Sequence, residues 1–342
     1  MRGGHALASS MTRRFILISS AVAIGTLLLV PQSIAQTPSS SAAQSYPTRP
    51  VRVIVGLAPG GGADIMAREA AQRLTESLGR SFVVDNRPAA GGAIAGELTA
   101  RAAPDGYTLL LVSASTAVAA VMHEKLSYNV LKDFAPIILM ATSPVVLVAH
   151  PGVPAKDAKE LIALARSRPG KLSYASSGIG GSTHLVAELF KLAAGVDILH
   201  IPYKGTGPAL TDLMSGNVDL LFSGAISLLP HIKAQRLRAL VVTSARRVPV
   251  LPEVPTTNES GLTGAEAYSF YGLVAPAATP REIITKLNQE MGRIIVTPQF
   301  KERLAADGAN EEGGTPEHFG QFLREVIGKW QRVVKHAKIK AQ

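Results

Sequence analysis

Residues 51–74 read VRVIVGLAPGGGADIMAREAAQRL. Val51–Val55 is β-branched at every position but Arg52, as expected of a strand buried on both faces. From Ile65 to Leu78 the apolar residues recur at helical spacing, which predicts an amphipathic helix. Between the two lies Ala58-Pro59-Gly60-Gly61-Gly62-Ala63-Asp64, a glycine turn joining strand directly to helix. This is the opening of a strand–helix–strand unit, and the rest of the chain extends it. Phe82–Val84 reads as a strand, Gly92–Ala102 as a helix and Thr108–Val112 (TLLLV) as a buried strand.

The alternation then recurs. Ala158–Arg168 reads as a helix stopped by Pro169-Gly170, Leu172–Tyr174 as a strand and Ser182–Ala194 as a helix. Ile198–Ile201, Pro208–Ser215 and Val218–Phe222 follow as strand, helix and strand. The fold class is therefore α/β, with mostly parallel sheets flanked by helices. Two long apolar stretches, Ile137–Val148 (IILMATSPVVLV) and Leu237–Val242 (LRALVV), bracket the second group. One leaves and one returns, which implies a second lobe inserted into the first, with a cleft between them. The expected division is 46–147 for the first part of lobe 1, 148–243 for lobe 2, and 244–342 for the remainder of lobe 1. That remainder includes helices over Ile283–Ile295 and His318–His336.

The first thirty-five residues are of another kind. Arg13 and Arg14 precede an apolar run, Phe15–Val30, that is short for a membrane span and suited to a signal-peptide core. Small residues at Ser33 and Ala35 predict cleavage after Ala35, with 36–45 a polar linker. Translation from Met11 would preserve this pattern, and the adjacent arginines leave both the general and the twin-arginine export routes open. The alternative is an uncleaved membrane anchor. The chain has no cysteine, which removes disulfides and thiolate chemistry together. Its formal charge of +10 would lose Arg2, Arg13 and Arg14 on cleavage. The remaining basic residues are dispersed and not interleaved with aromatics, which argues against nucleic acid and suits attraction of a small anion.

Three places offer chemistry. The turn at Pro59, Gly60, Gly61, Ala63 and Asp64 presents backbone donors at a helix start, an anion site at the carboxyl edge of a sheet. It lacks the spacing of a dinucleotide fingerprint or a P-loop. A second turn, Ser176–His184, repeats the same physics in the other lobe through Ser177, Gly178, Gly180 and Ser182. His184 belongs either to this site or to the helix interior. The third is Pro202-Tyr203-Lys204-Gly205, after a strand. Ser115 and Ser223, also at strand ends, would turn hydroxyls into the same crevice. No hydrolase elbow or metal-ligand spacing occurs, so no cofactor, metal or catalytic set is expected.

At these residues the chain resembles the Bug family of substrate-binding proteins of tripartite tricarboxylate transporters. The resemblance rests on Tyr46-Pro47, Pro50-Val51-Arg52, Pro59-Gly60-Gly61 with Asp64 and Arg68, and Asp85-Asn86-Arg87 with Gly91-Gly92. It continues through Asp105-Gly106-Tyr107-Thr108, Lys132–Pro136, Ser176–His184, Pro202–Gly205, Leu237–Ser244 and Leu251–Thr256. It implies a two-lobed, type II periplasmic-binding-protein-like fold that closes on a small mono- or dicarboxylate. The ligand is held by backbone N–H groups and waters at Gly60, Gly61, Ala63, Asp64, Ser177, Gly178, Gly180 and Ser182. The partners implied are membrane permease subunits of a secondary transporter, with the receptor a monomer in the periplasm. Leu57 stands where many relatives carry an aromatic, so Leu57, Tyr203 and Ser223 would tune ligand choice. Two other readings use the same cleft: a ligand sensor docking a membrane receptor, and a secreted hydrolase built on Ser177 or Ser182 with His184.

Overall fold

The computed structural model describes residues 45–123 and 126–337. The expected leader, cleavage site and nearly all of the linker lie outside the described residues. In the first half, β1 (Val51–Val55), β2 (Phe82–Asn86) and β3 (Thr108–Ser113) pair in parallel in the order β2-β1-β3. They are interleaved with α1 (Gly62–Leu78), a short 3-10 turn at Ala90–Gly92 and α2 (Ala93–Ala100); α3 (Ala114–Met122) follows β3. In the second half, β5 (Ser173–Ser176), β6 (Leu199–Pro202) and β7 (Leu220–Gly224) are likewise parallel, in the order β7-β5-β6. Their helices are α4 (Ala158–Ser167), α5 (Ser182–Ala194), α6 (Thr206–Met214) and α7 (Ala225–Lys233).

The two parallel groups are joined by antiparallel strands. β4 (Phe134–Ala149) pairs along its first part with β9 (Tyr268–Pro276), and β9 pairs with β3. Its last residues, Val145–Ala149, pair instead with β7 and with β8 (Arg238–Val242). One strand thus leaves the first sheet and enters the second. The switch follows Pro144, which has no N–H to give to a ladder. Each sheet is therefore mixed: parallel through its three βα strands, antiparallel where the chain crosses over and at the β8 and β10 edges.

α8 (Arg281–Ile295), α9 (Pro298–Ala306), the edge strand β10 (Asn310–Gly313) and α10 (Pro316–Ala337) complete the fold. Separate apolar clusters cover the sheets. Val53, Leu109, Leu273 and Met291 belong to one around the first sheet, and Leu147, Tyr174, Phe190 and Phe222 to one around the second. α10 spans both halves, with Phe319 and Leu323 packed in a first-half cluster and Trp330 in the second-half core. No helix among the described residues is long and apolar enough to cross a membrane.

Candidate functional site

Every parallel strand but the two outermost ends at one crevice, and a helix begins there. The walls are Gly61, Gly62 and Ala63 at the start of α1, Ser113, Ala114 and Ser115 at α3, and Ser182 and Thr183 at α5. Thr206 at α6 and Ser223 and Gly224 at α7 complete the ring, with Leu57, Ser177, Ser269 and Tyr271 between them. Five helix N-termini thus converge on one cavity, each carrying roughly half a positive charge and unpaired N–H groups. The amides of Gly62, Ala63 and Thr183 have no acceptor among the described residues. No charged side chain lines the cavity. Its volume is about 30 Å³, room for about two water-sized atoms, or the two oxygens of a carboxylate.

The first turn is braced by Asp64, which is buried. Its carboxylate accepts from the Gly60 N–H at 3.0 Å, from Asn86 Nδ2 at 3.0 Å and from both ends of the Arg68 guanidinium. Burial alone would raise its pKa, but the bonds from Arg68, Gly60 and Asn86 outweigh this and hold it below the usual carboxylate range. Asp64 is a strut under the loop, not part of the wall.

The second turn is braced by a stack of rings. Tyr174 lies on His200 with centroids 4.7 Å apart, and His200 lies on His184 at 4.2 Å. His200 Nε2 bonds Ser176 Oγ at 2.7 Å, and that oxygen accepts the Gly178 N–H at 3.2 Å. His184 Nδ1 accepts the Gly180 N–H at 3.3 Å. Burial pushes both histidines down, His200 to about 4. The rings therefore stay neutral near pH 7 and keep a free acceptor for the turn.

The lobes touch across the crevice. The Ala58 N–H donates to the Lys204 carbonyl at 2.9 Å, and Ser115 Oγ meets Ser182 Oγ at 3.1 Å and the Ser182 N–H at 3.3 Å. Outside this contact an adjoining cavity of about 380 Å³ shares Leu57 and Ser177 with the inner one and is bordered by Gly178, Tyr203 and Lys204.

Of the residues singled out in the sequence, Leu57, Gly61, Ala63, Ser115, Ser177, Ser182 and Ser223 line the inner cavity. Gly178 and Tyr203 line the outer one. Pro59, Gly60, Asp64, Gly180 and His184, singled out for contact with ligand, line neither. The physical reason is hydrogen-bond accounting: the N–H groups of Gly60, Ser177, Gly178 and Gly180 are consumed within the turns. The free donors belong to the helix starts that follow. Tyr203 turns its hydroxyl to Asp212 at 2.6 Å and offers the site its ring.

Thr206, Ser269 and Tyr271 escaped the sequence reading. Thr206 follows Gly205, and its hydroxyl meets that of Ser223 at 3.1 Å. Tyr271, buried and with its hydroxyl pushed up to about 12 by desolvation, stands against Gly62 and Gly224, where any side chain would collide with its oxygen. The two glycines facing a mid-strand tyrosine leave no local sequence signal.

The model of the tripartite tricarboxylate transporter family receptor matches residues 66–339. Among solved structures, the periplasmic binding protein BugD superposes with TM-score 0.84 at 35% identity, over 87% of this chain and 100% of that one. R. palustris Rpa4515 with adipate gives 0.83 at 36%, over 86% and 99%. MatC from Rhodopseudomonas palustris with bound malate gives 0.81 at 34%, over 84% and 100%.

Proposed function

The chain belongs to the tripartite tricarboxylate transporter receptor family, and from that premise we propose that it captures a small organic acid between two lobes and presents the closed form to membrane permease subunits. The observation that carries this reading is the convergence of five helix starts on a cavity with no charged wall. Fixed neutral donors favour an anion, cost little to organise at the moment of binding, and let it leave again when the lobes part. The solved relatives with adipate and with malate support a carboxylate.

We assign the carboxylate to Gly61, Ala63, Ser115, Ser177, Ser182 and Ser223, joined by Gly62, Thr183 and Thr206. Leu57 and Tyr203 border what lies beyond it. Asp64 and His184 act one layer behind. The lobes are 46–147 with 244–342, and 148–243. The receptor works as a periplasmic monomer released by cleavage after Ala35. Family relatives are receptors rather than enzymes, and His184 is engaged with Gly180 and His200 instead of facing a serine nucleophile, which disfavours the hydrolase reading.

The test is a thermal-shift screen of residues 36–342 against small carboxylates and their matched neutral amides. A ligand that binds only the folded state raises the melting temperature. Stabilisation by an acid and not by its amide supports the reading; stabilisation by neutral solutes alone overturns it.

A further inference from the structure

A separate cavity of about 510 Å³ opens where the chain passes between the two halves, and it shares no residue with the crevice. Its size falls within the range of about 300–1,000 Å³ usual for small-molecule sites. It is lined by Pro144 and Tyr268, the last pair of the β4–β9 ladder. One wall is the loop after β8, whose Val248 belongs to an apolar cluster of the second half. The other is the turn between α9 and β10, whose Ala309 belongs to the core around the first sheet. The walls meet at Gly308, where a Cβ would stand 3.0 Å from Val250 Cγ2. A molecule held here therefore touches both halves.

The lining is mostly apolar, with one free charge. Tyr268 is 42% exposed, and its hydroxyl accepts the Ala245 N–H at 3.1 Å, which fixes the ring. Arg246 is exposed, and its guanidinium makes no ion pair with any described residue. The acids close to it in the chain and in the turn are already engaged: Glu259 with Arg247 at 3.0 Å and Asp307 with Arg303 at 3.3 Å. Neither terminal segment outside the described residues, 1–44 or 338–342, contains an aspartate or glutamate to pair with Arg246. The missing negative charge must come from another molecule.

We infer that this cavity is an effector site for a small molecule with a flat apolar body and one anionic group, the body lying on Tyr268 and between the walls, the anion meeting Arg246. Because the walls belong to different halves, the cavity keeps this shape only while the halves keep the placement in which they touch across the crevice. An occupant therefore favours that placement and, resting on the reading above, tightens capture of the carboxylate. A lone arginine near solvent adds a modest gain, so the apolar walls supply most of the affinity and Arg246 selects for charge.

Fluorescence titration of the purified protein with naphthalene-1-sulfonate, and with the uncharged naphthalene-1-sulfonamide, tests this. The sulfonate should bind roughly two- to fivefold tighter than the sulfonamide, and Arg246→Gln should remove that difference. Ala305→Trp, which fills the cavity from an exposed position, should weaken both on the order of tenfold. Neither change touches the inner cavity, so carboxylate capture without the probe stays as it was. Saturating carboxylate should tighten the sulfonate about fivefold or more, and the sulfonate should tighten the carboxylate by the same factor. Displacement of the sulfonate by the carboxylate, or affinities that neither variant moves, overturns the inference and leaves capture standing. A two-chain mass in solution that falls to one chain in Ala305→Trp gives the cavity to a second copy and overturns it as well. If no carboxylate binds, capture fails and the coupling falls with it, and the two variants alone decide the cavity.

Discussion

Gly207 lies so close to the carbonyl of Pro59 that a methyl group at position 207 would overlap that oxygen. Pro59 belongs to the turn after β1 and Gly207 to the first turn of α6, so the two meet only across the crevice. The neighbouring Gly205 is as tightly placed, its absent Cβ 2.7 Å from the Ala58 amide nitrogen. Gly207 is required by closure rather than by the fold of its own half, whereas Gly205 is required by both, because its φ of +146° is one that side chains rarely adopt.

Gly207→Ala separates the two demands. Within α6 the methyl falls in the first turn and directly before Pro208, where the helical gain of alanine is offset, so the stability of the ligand-free chain should change by less than about 1 kcal/mol. The methyl opposes closure, so affinity for the carboxylate should fall on the order of tenfold or more. Thermal melts and titrations on the same preparation check both. A variant that binds as tightly as the original would show that the Pro59 contact is not needed for capture.

Stability should fall as pH drops from about 6.5 toward 4. His200 is held down to about 4 by burial, by the neighbouring His184 and by Lys191, against the pull of Glu188. Between those values the unfolded chain binds the proton and the folded chain does not, so acid favours unfolding, and the effect levels off below the folded value. Allowing for a ring that is only part-buried, the loss is on the order of 1–2 kcal/mol. Denaturant melts of His200→Gln should show a flatter profile than the original over this range. Asp64, held low, contributes its own loss only at still lower pH, which keeps the two separable. Identical profiles would remove His200 from the account.

Asp64→Ala should cost about 2–3 kcal/mol, because it strands the Gly60 N–H, Asn86 and Arg68 around a buried gap. Affinity should fall as well, since the loop that presents Gly61 and Ala63 loses its strut. Were Asp64 a direct obstacle to the anion, removing its charge would tighten binding instead; the titration decides.

Ser115→Asp places a negative charge where the inner cavity is proposed to hold one. Repulsion at this range predicts roughly a hundredfold or greater loss of affinity, whereas Ser115→Ala, which removes only the bonds to Ser182, should cost a few-fold. Circular dichroism confirms the fold of each. Equal, small effects of both would place the carboxylate elsewhere.

Much of this architecture is legible in the sequence. Val51–Val55 and Thr108–Val112 announce themselves because strands buried on both faces read as near-continuous apolar runs, here broken only by Arg52 and Thr108. The glycine turns after β1 and β5 reveal helix starts by the missing side chains. β9, Tyr268–Pro276, is largely apolar but carries Ser269, Gly272 and Pro276, and so gives no clean strand signal. α7 contains Pro230, and α3 is a run of small residues dominated by alanine, so neither shows helical periodicity. These three elements supply Tyr271, Ser269 and two of the five helix starts. The turns were legible as anion sites; that their own amides are spent internally was not, because it depends on Ser176, Thr183 and His184 folding back onto them.

A crystal structure of the receptor with its tightest carboxylate shows where the anion sits. The lobes should be closed with one carboxylate in the inner cavity, its oxygens roughly 2.7–3.2 Å from the amide nitrogens of Gly62, Ala63 or Thr183, directly or through one water. A carboxylate bound outside this ring of helix starts, with a neutral part of the ligand in the inner cavity, would contradict it.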